Sequence, residues 1–311
     1  MGKIVNIICE MVKAPRLLYQ GPEGNVWTSN KRNDNANNIH ETLCCRPNPN
    51  DGVFMMEPIV TTPEHYDIDY LSKFKKVFGC FGKAFDNTKI KDKYVCTNYG
   101  YDIRIHSPML STDTISIKNR WQPWEQRNGM IIVAGGDKKS THPASIYPLR
   151  LMIADLFYEN NFEVAWYGQQ NCNRPYYKGP IQDKVSEINK YKFTICTENT
   201  YDPIYSHNYL TEKLPHAIYG GALPLYIGCY NIDNLAPKHS FFDLRNFVIR
   251  DNGKIILLKQ PLLEAINSFT KEKFERYQET AYQFVKDPAG LSYHTDMKRF
   301  FRQMLNEYYC P

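Results

Sequence analysis

From Met130 onward the chain alternates between two hydrophobic rhythms. Short continuous apolar runs, GMIIVAGG, FEVAWYG, KFTICTEN and ALPLYIG, read as buried strands. Between them lie helical stretches. Over 144–160, Ile146, Leu149, Ile153, Leu156 and Phe157 recur by threes and fours. IQDKVSEINKY reads as a second helix, and YLTEKLPHAIYGG as a third, closed by its paired glycines. Residues 262–285 and the tail from about Asp296 are also expected to be helical.

The first half is less regular. KIVNIICEMV reads as a buried strand that includes Cys9. Residues 20–51 are rich in Gly, Asn, Pro and Asp and read as loop and turns. DGVFMMEP gives a turn and a short strand with Glu57 at its end. YDIDYLSKF gives a short helix with Tyr66, Tyr70, Leu71 and Phe74 on one side, and KKVFGCFG another strand. Residues 84–128 show few clear elements, and Trp121-Gln-Pro-Trp124 marks the expected linker.

Strand–helix alternation predicts an α/β fold with a parallel sheet covered on both faces. Ligands of such sheets bind beyond the carboxyl ends of the strands, here the loops after Val133, Cys196 and Ile227. The expected division is an N-terminal domain at 1–128, a C-terminal domain at 129–285 and a final helix at 286–311 that packs back on the first domain.

Length and composition fit this picture. The 311 residues suit two domains, and 42% hydrophobic with 23% charged residues is globular. The net charge of +5 is dispersed, without the basic stripe of a nucleic-acid-binding protein, so no nucleic-acid partner is expected. Nine cysteines without a C-x-x-C pair read as buried thiols, not a zinc site or a disulfide framework. No stretch approaches the roughly 20 apolar residues of a membrane helix, and the apolar run near the start is too short for a signal peptide. The expectation is a soluble chain of a cytoplasmic or virus-infected host compartment, without a transmembrane anchor.

The informative segment is Tyr191–Gly228, YKFTICTENTYDPIYSHNYLTEKLPHAIYGGALPLYIG. Glu198 and Asn199 follow its first strand, and Glu212 and Lys213 open its helix. A lysine at a helix start suits a diphosphate, because free backbone N–H groups and the helix dipole attract anions there. A glutamate beside it can accept hydrogen bonds from sugar hydroxyls. Alone, a Glu-Lys pair is more often a solvated helix face.

As a whole the segment resembles the signature of glycosyltransferase family 10, the α-1,3-fucosyltransferase family. The matching residues are Thr197-Glu198-Asn199, then Tyr209-Leu210-Thr211-Glu212-Lys213, then Gly221-Ala222-Leu223-Pro224, closing at Gly228. Thr197 stands where the family has phenylalanine, and the loop Tyr201–Asn208 is longer than usual. Upstream, Arg150 occupies an early helical position similar to the family's phosphate-contacting arginine. In the first half, Glu57-Pro58 resembles the family's strand-end glutamate, the base that takes the acceptor proton.

The resemblance implies a GT-B fold, two Rossmann-like domains facing across a cleft. It implies inverting, metal-independent transfer of fucose from GDP-fucose to a glycan or glycoprotein hydroxyl, with no cofactor required. Glu57 would be the base. Arg150, Glu198, Asn199, Tyr209, Glu212 and Lys213 would bind the donor, with Tyr209 lining the nucleotide pocket. Transfer of another nucleotide sugar and an inactive carbohydrate-binding protein are the alternatives. Asp67-Ile68-Asp69 has the D-x-D form of metal-dependent glycosyltransferases, but it enters a helix instead of ending an apolar strand, which favours a structural role.

Overall fold

The computed structural model describes residues 3–8, 14–29, 31, 33, 35–40, 46–99, 114–133, 138–168, 173–251, 254–291 and 296–309. Cys9 and the loop that follows Val133 lie outside them. The chain divides into two compact units, each with its own sheet. The first is Met1–Tyr101, Pro203–Tyr209 and Asp296–Pro311, and the second is Asp102–Asp202 and Leu210–Thr295. The main division therefore falls after Tyr101, not at residue 128. Trp121 and Trp124, expected in a linker, pack inside the second unit: Trp121 Nε1 donates to the Tyr219 carbonyl at 3.0 Å, and Trp124 lies against Phe193 and Phe274.

The first unit carries β1 (Ile4–Ile8), β2 (Arg16–Gly21), β3 (Gly24–Ser29), β4 (Asn37–His40), β5 (Gly52–Met55), β6 (Lys76–Gly79) and β7 (Tyr94–Cys96). They form one sheet in the order β2-β3-β1-β4-β5-β6-β7. Only β2 pairs antiparallel. Two of these strands, β3 and β4, fall where loop and turns were expected, because their polar residues find partners on a neighbouring strand. Ser29 Oγ donates to Asn6 Oδ1, and Asn6 Nδ2 donates to Asn38 Oδ1, both at 3.0 Å and buried. The expected helix at Tyr66–Phe74 is a 3-10 turn, Pro63–Tyr66, followed by the short α1 (Ile68–Leu71).

The second unit carries α2 (Thr114–Asn119), β8 (Asn128–Val133), α3 (Tyr147–Glu159), β9 (Val164–Tyr167), β10 (Tyr177–Gly179), α4 (Lys184–Ile188), β11 (Tyr191–Thr197), α5 (Lys213–Tyr219), β12 (Leu223–Ile227) and β13 (Phe242–Asp243). Its sheet runs β10-β9-β8-β11-β12-β13 and is wholly parallel. After it come an antiparallel ribbon, β14 (Val248–Asp251) and β15 (Lys254–Leu257), and the helices α6 (Lys259–Asn267) and α7 (Lys271–Lys286). The chain builds outward from β8 to β10, then returns to place β11 on the other side of β8. The carboxyl ends of β8 and β11 are thus the switch point where open α/β sheets bind ligands.

Two helices start later than the periodicity predicts. Pro148 and Pro215 lack the N–H that an interior helical position must donate, so each is tolerated only in a first turn. That sets α3 at Tyr147 and α5 at Lys213. The final helix, α8 (Met297–Tyr309), belongs to the first unit, where Phe300, Phe301, Met304 and Leu305 join Val5, Val26, Ile39 and Phe54 in one core. No helix among the described residues is long and apolar enough to cross a membrane.

Candidate functional site

The switch point of the second unit holds a buried carboxylate, Glu198, with no exposed surface. It directly follows β11. Its Oε1 accepts the Thr211 backbone N–H at 3.0 Å. Its Oε2 accepts the Thr211 hydroxyl at 2.6 Å and the Lys213 ammonium at 3.0 Å. The Tyr226 hydroxyl, from β12, reaches Oε1 at 3.5 Å. Lys213 Nζ also donates to Thr211 Oγ1 at 3.0 Å and sits 3.7 Å from Glu212. Burying a charge is costly unless it is paired and hydrogen-bonded, and Glu198 has both. The sequence reading gave Glu198 a direct donor contact. In the structure its enclosed oxygens hold Thr211 and Lys213.

Gly228 makes this possible. Its φ is +153°, and a β-carbon there would stand 2.2 Å from Glu198 Cβ. Only glycine lets the strand end pass so close to the carboxylate.

Arg150, on α3, is also buried. Its Nε donates to Thr197 Oγ1 at 3.2 Å, and its Nη2 to the Thr197 carbonyl at 3.1 Å, the Glu198 carbonyl at 3.3 Å and Asn199 Oδ1 at 3.4 Å. The departure at Thr197 therefore has a structural reason: its hydroxyl receives the arginine, which phenylalanine could not do. Asn199 is half-buried beside it, and its carbonyl accepts the Ile146 N–H at 3.1 Å.

The charges in this cluster are strongly coupled. Burial works against ionisation of Glu212, but Lys213, His216 and Lys184 outweigh it and hold its carboxyl at about 2. Burial likewise pulls the Lys213 ammonium down, and Glu198 and Glu212 together leave it above the ordinary lysine range. Lys184, at the start of α4, is lowered by burial while Glu212 partly restores it. Three cations, Arg150, Lys184 and Lys213, thus surround two carboxylates at one strand end. Thr211, Lys184 and Tyr226 were missed from sequence. Thr211 lay inside the matched motif, while Lys184 and Tyr226 are placed only by the tertiary fold.

Tyr209 precedes Thr211 by two residues. It belongs to the first unit, 2% exposed in a core with Phe81 and Tyr99 nearby. Its ring is thus packed among aromatic side chains of that unit. Glu57 lies two residues beyond β5, half-buried, at the carboxyl end of the first sheet. His65 is its neighbour: burial lowers the imidazole pKa, opposed by Glu64 and Glu57. No side-chain hydrogen bond or ion pair reaches the Glu57 carboxylate among the described residues.

The D-x-D pair is structural. The Asp67 carboxylate caps α1, accepting the Asp69 and Tyr70 N–H groups at 2.9 and 3.1 Å, and Asp69 pairs with Lys89. Among the described residues, no group of three or more His, Cys, Asp or Glu side chains could hold a metal ion. A cavity of about 100 Å³ in the second unit, lined by Trp121, Asp183, Asn189 and Tyr219 among others, includes none of the site residues in its lining.

Residues 149–257 match the model described as "Glycosyltransferase family 10 (fucosyltransferase) C-term". That bears out the resemblance carried by Thr197–Asn199, Tyr209–Lys213 and Gly221–Gly228. An Arabidopsis thaliana alpha-(1,4)-fucosyltransferase is 32% identical over 89 residues, 29% of this chain and 18% of the relative. A putative fucosyltransferase-like protein of the same plant is 31% identical over 93 residues, 30% of this chain and 17% of the relative. These matches span less than a fifth of the relatives' length. In fold, the chain is similar to an alpha1,3-fucosyltransferase solved with GDP-fucose, with a TM-score of 0.53 at 14% identity over 99% of this chain and 90% of that one. It is also similar to an alpha-glucosyltransferase solved with UDP, with a TM-score of 0.52 at 11% identity over 87% and 80%. The architecture is that of the GT-B enzymes, with two Rossmann-like units.

Proposed function

Proceeding from a second unit that carries a glycosyltransferase family 10 segment, we propose that the protein is an inverting glycosyltransferase that moves fucose from GDP-fucose to a glycan hydroxyl, in the manner of an α-1,3-fucosyltransferase. The observation that carries this reading is Lys213, held by buried Glu198 beside Arg150 at the switch point of a parallel sheet. A cation fixed at a strand end by a buried anion suits a diphosphate, which gains negative charge as the glycosidic bond to it breaks.

In this mechanism Lys213 Nζ donates two of its three N–H groups to Glu198 and Thr211, and the third to a phosphate oxygen. Arg150 and Lys184 add charge that stabilises the departing diphosphate. Glu212, ionised throughout the neutral range, and Asn199 orient ribose and sugar hydroxyls. Glu57 takes the acceptor proton as the acceptor oxygen attacks the anomeric carbon, so the configuration there inverts. The chemistry uses protein groups alone, and a chelator is expected to leave turnover unchanged.

The test is calorimetric binding of GDP and GDP-fucose, with turnover on glycan acceptors. The wild-type chain is expected to bind both nucleotides, Lys213→Ala neither, and Glu57→Ala both but with turnover lowered at least a hundredfold. Normal turnover in Glu57→Ala removes it as the base. Stabilisation by another nucleotide sugar and not by GDP-fucose replaces fucose as the sugar. Glycan binding with no nucleotide affinity favours the carbohydrate-binding alternative.

A further inference from the structure

Two tyrosines follow neighbouring strands at the carboxyl end of the second sheet and take no part in the Glu198 cluster. Tyr201 lies four residues beyond β11, and Tyr230 three beyond β12, its parallel neighbour. Their rings are 5.6 Å apart and tilted by 31°. Tyr201 is half-buried and packs on the core, whereas Tyr230 is 41% exposed. A large aromatic open to solvent at the ligand-binding end of a parallel sheet, backed by a second ring, is a stacking platform.

The platform is held firmly. The Tyr201 N–H donates to the Ala144 carbonyl at 3.1 Å, and Arg250 Nη2 donates to the Tyr201 carbonyl at 3.1 Å. On the other side, the Cys229 N–H donates at 3.1 Å to the Tyr226 hydroxyl, which also reaches Glu198. The segment that presents Tyr230 is therefore tied to the carboxylate that holds Lys213. Tyr201 is two residues from Asn199, which bonds Arg150, and Tyr230 is two residues from Gly228, which abuts Glu198. Two residues span at most about 7 Å of chain. Arg245, nearby, pairs with both Asp233 and Asp243 at 2.7–3.0 Å and so stiffens this region.

We propose that Tyr201 and Tyr230 carry the nucleobase of the donor, stacked on the outer face of Tyr230. The inference rests on the nucleotide-sugar reading above and adds where the base sits. A base is flat and uncharged, so it needs a π-surface and not a counter-ion, placed one ribose away from the phosphates. The two rings meet that requirement. Stacking tolerates any base, so the platform supplies affinity and leaves the choice among bases to other groups.

Calorimetry on the full chain with GDP and with inorganic pyrophosphate tests this. Wild-type protein binds both. Tyr230→Ala weakens GDP about tenfold, as loss of one base–aromatic stack does, and leaves pyrophosphate affinity unchanged. Tyr230→Phe retains GDP affinity, because the ring and not the hydroxyl acts. Undiminished GDP binding in Tyr230→Ala overturns the platform while sparing the donor reading. Equal loss of GDP and pyrophosphate also overturns it, since it marks damage to the phosphate cluster. A raised acceptor KM with unchanged GDP affinity reassigns the rings to the acceptor sugar. If wild-type protein binds neither ligand, the donor reading itself fails, and the platform with it.

Discussion

The behaviour of single residues should follow from the buried pair Glu198–Lys213. Removing one partner strands the other charge in the interior, a loss of about 3–5 kcal/mol. Lys213→Ala should therefore unfold at markedly lower urea concentration, quite apart from losing nucleotide affinity. The double variant Glu198→Gln, Lys213→Met should recover most of that stability without recovering binding. If Lys213→Ala proves as stable as wild type, the carboxylate is not buried as described. Glu212 should show itself through pH. Its folded carboxyl, at about 2, lies below the ordinary value near 4.3, so its contribution is complete above that value and vanishes as pH falls toward 2. Lys213 is raised, so its contribution is complete below about 10.4 and is lost only as pH climbs past its folded value. Stability measured by urea titration should thus be level in these terms across neutral pH and decline between about pH 5 and 2. The Glu212→Gln variant should decline less steeply over that acid range, and a parallel decline would count against the coupling.

At the scale of elements, the closeness of the ends of β11 and β12 depends on Gly228. Gly228→Ala forces a β-carbon against Glu198 in a backbone region that other residues rarely adopt, so it should cost at least about 1–3 kcal/mol. Nucleotide affinity should fall with it, read by thermal shift with and without GDP; full affinity would show that the strand ends can part harmlessly. Which elements were legible follows from where their polar groups go. β11 and β12 are buried on both faces, so they appear as unbroken apolar runs. β3 and β4 bury Ser29 and Asn38, whose partners lie on other strands, and composition reads such residues as turn. The single helix expected over 262–285 is two, broken at Thr270, which caps α7 by accepting the Lys273 N–H at 3.3 Å. Within the site, Lys213 was legible because its motif is local. The enclosure of Glu198 and Tyr209 was not, since each is buried by residues distant in sequence.

At the scale of the whole molecule, the first unit needs the end of the chain. α8 supplies Phe300, Phe301, Met304 and Leu305 to its core. Each such side chain contributes about 1.5–3 kcal/mol by burial, so together they rival the stability of an ordinary domain. A chain ending at residue 295 should lose the cooperative unfolding of the first unit while the second still melts, observable by calorimetry. Two unchanged transitions would show that α8 is dispensable.

The passage Pro203–Tyr209 has a consequence for how the protein can be taken apart. The backbone changes units four times, after Tyr101, Asp202, Tyr209 and Thr295. It is stitched, not strung like beads, and no single protease nick can release one half from the other. The shortest stitch ends one residue before Leu210, three before Glu212. Along the chain, Tyr209 in the first unit is therefore only four residues from Lys213 in the second.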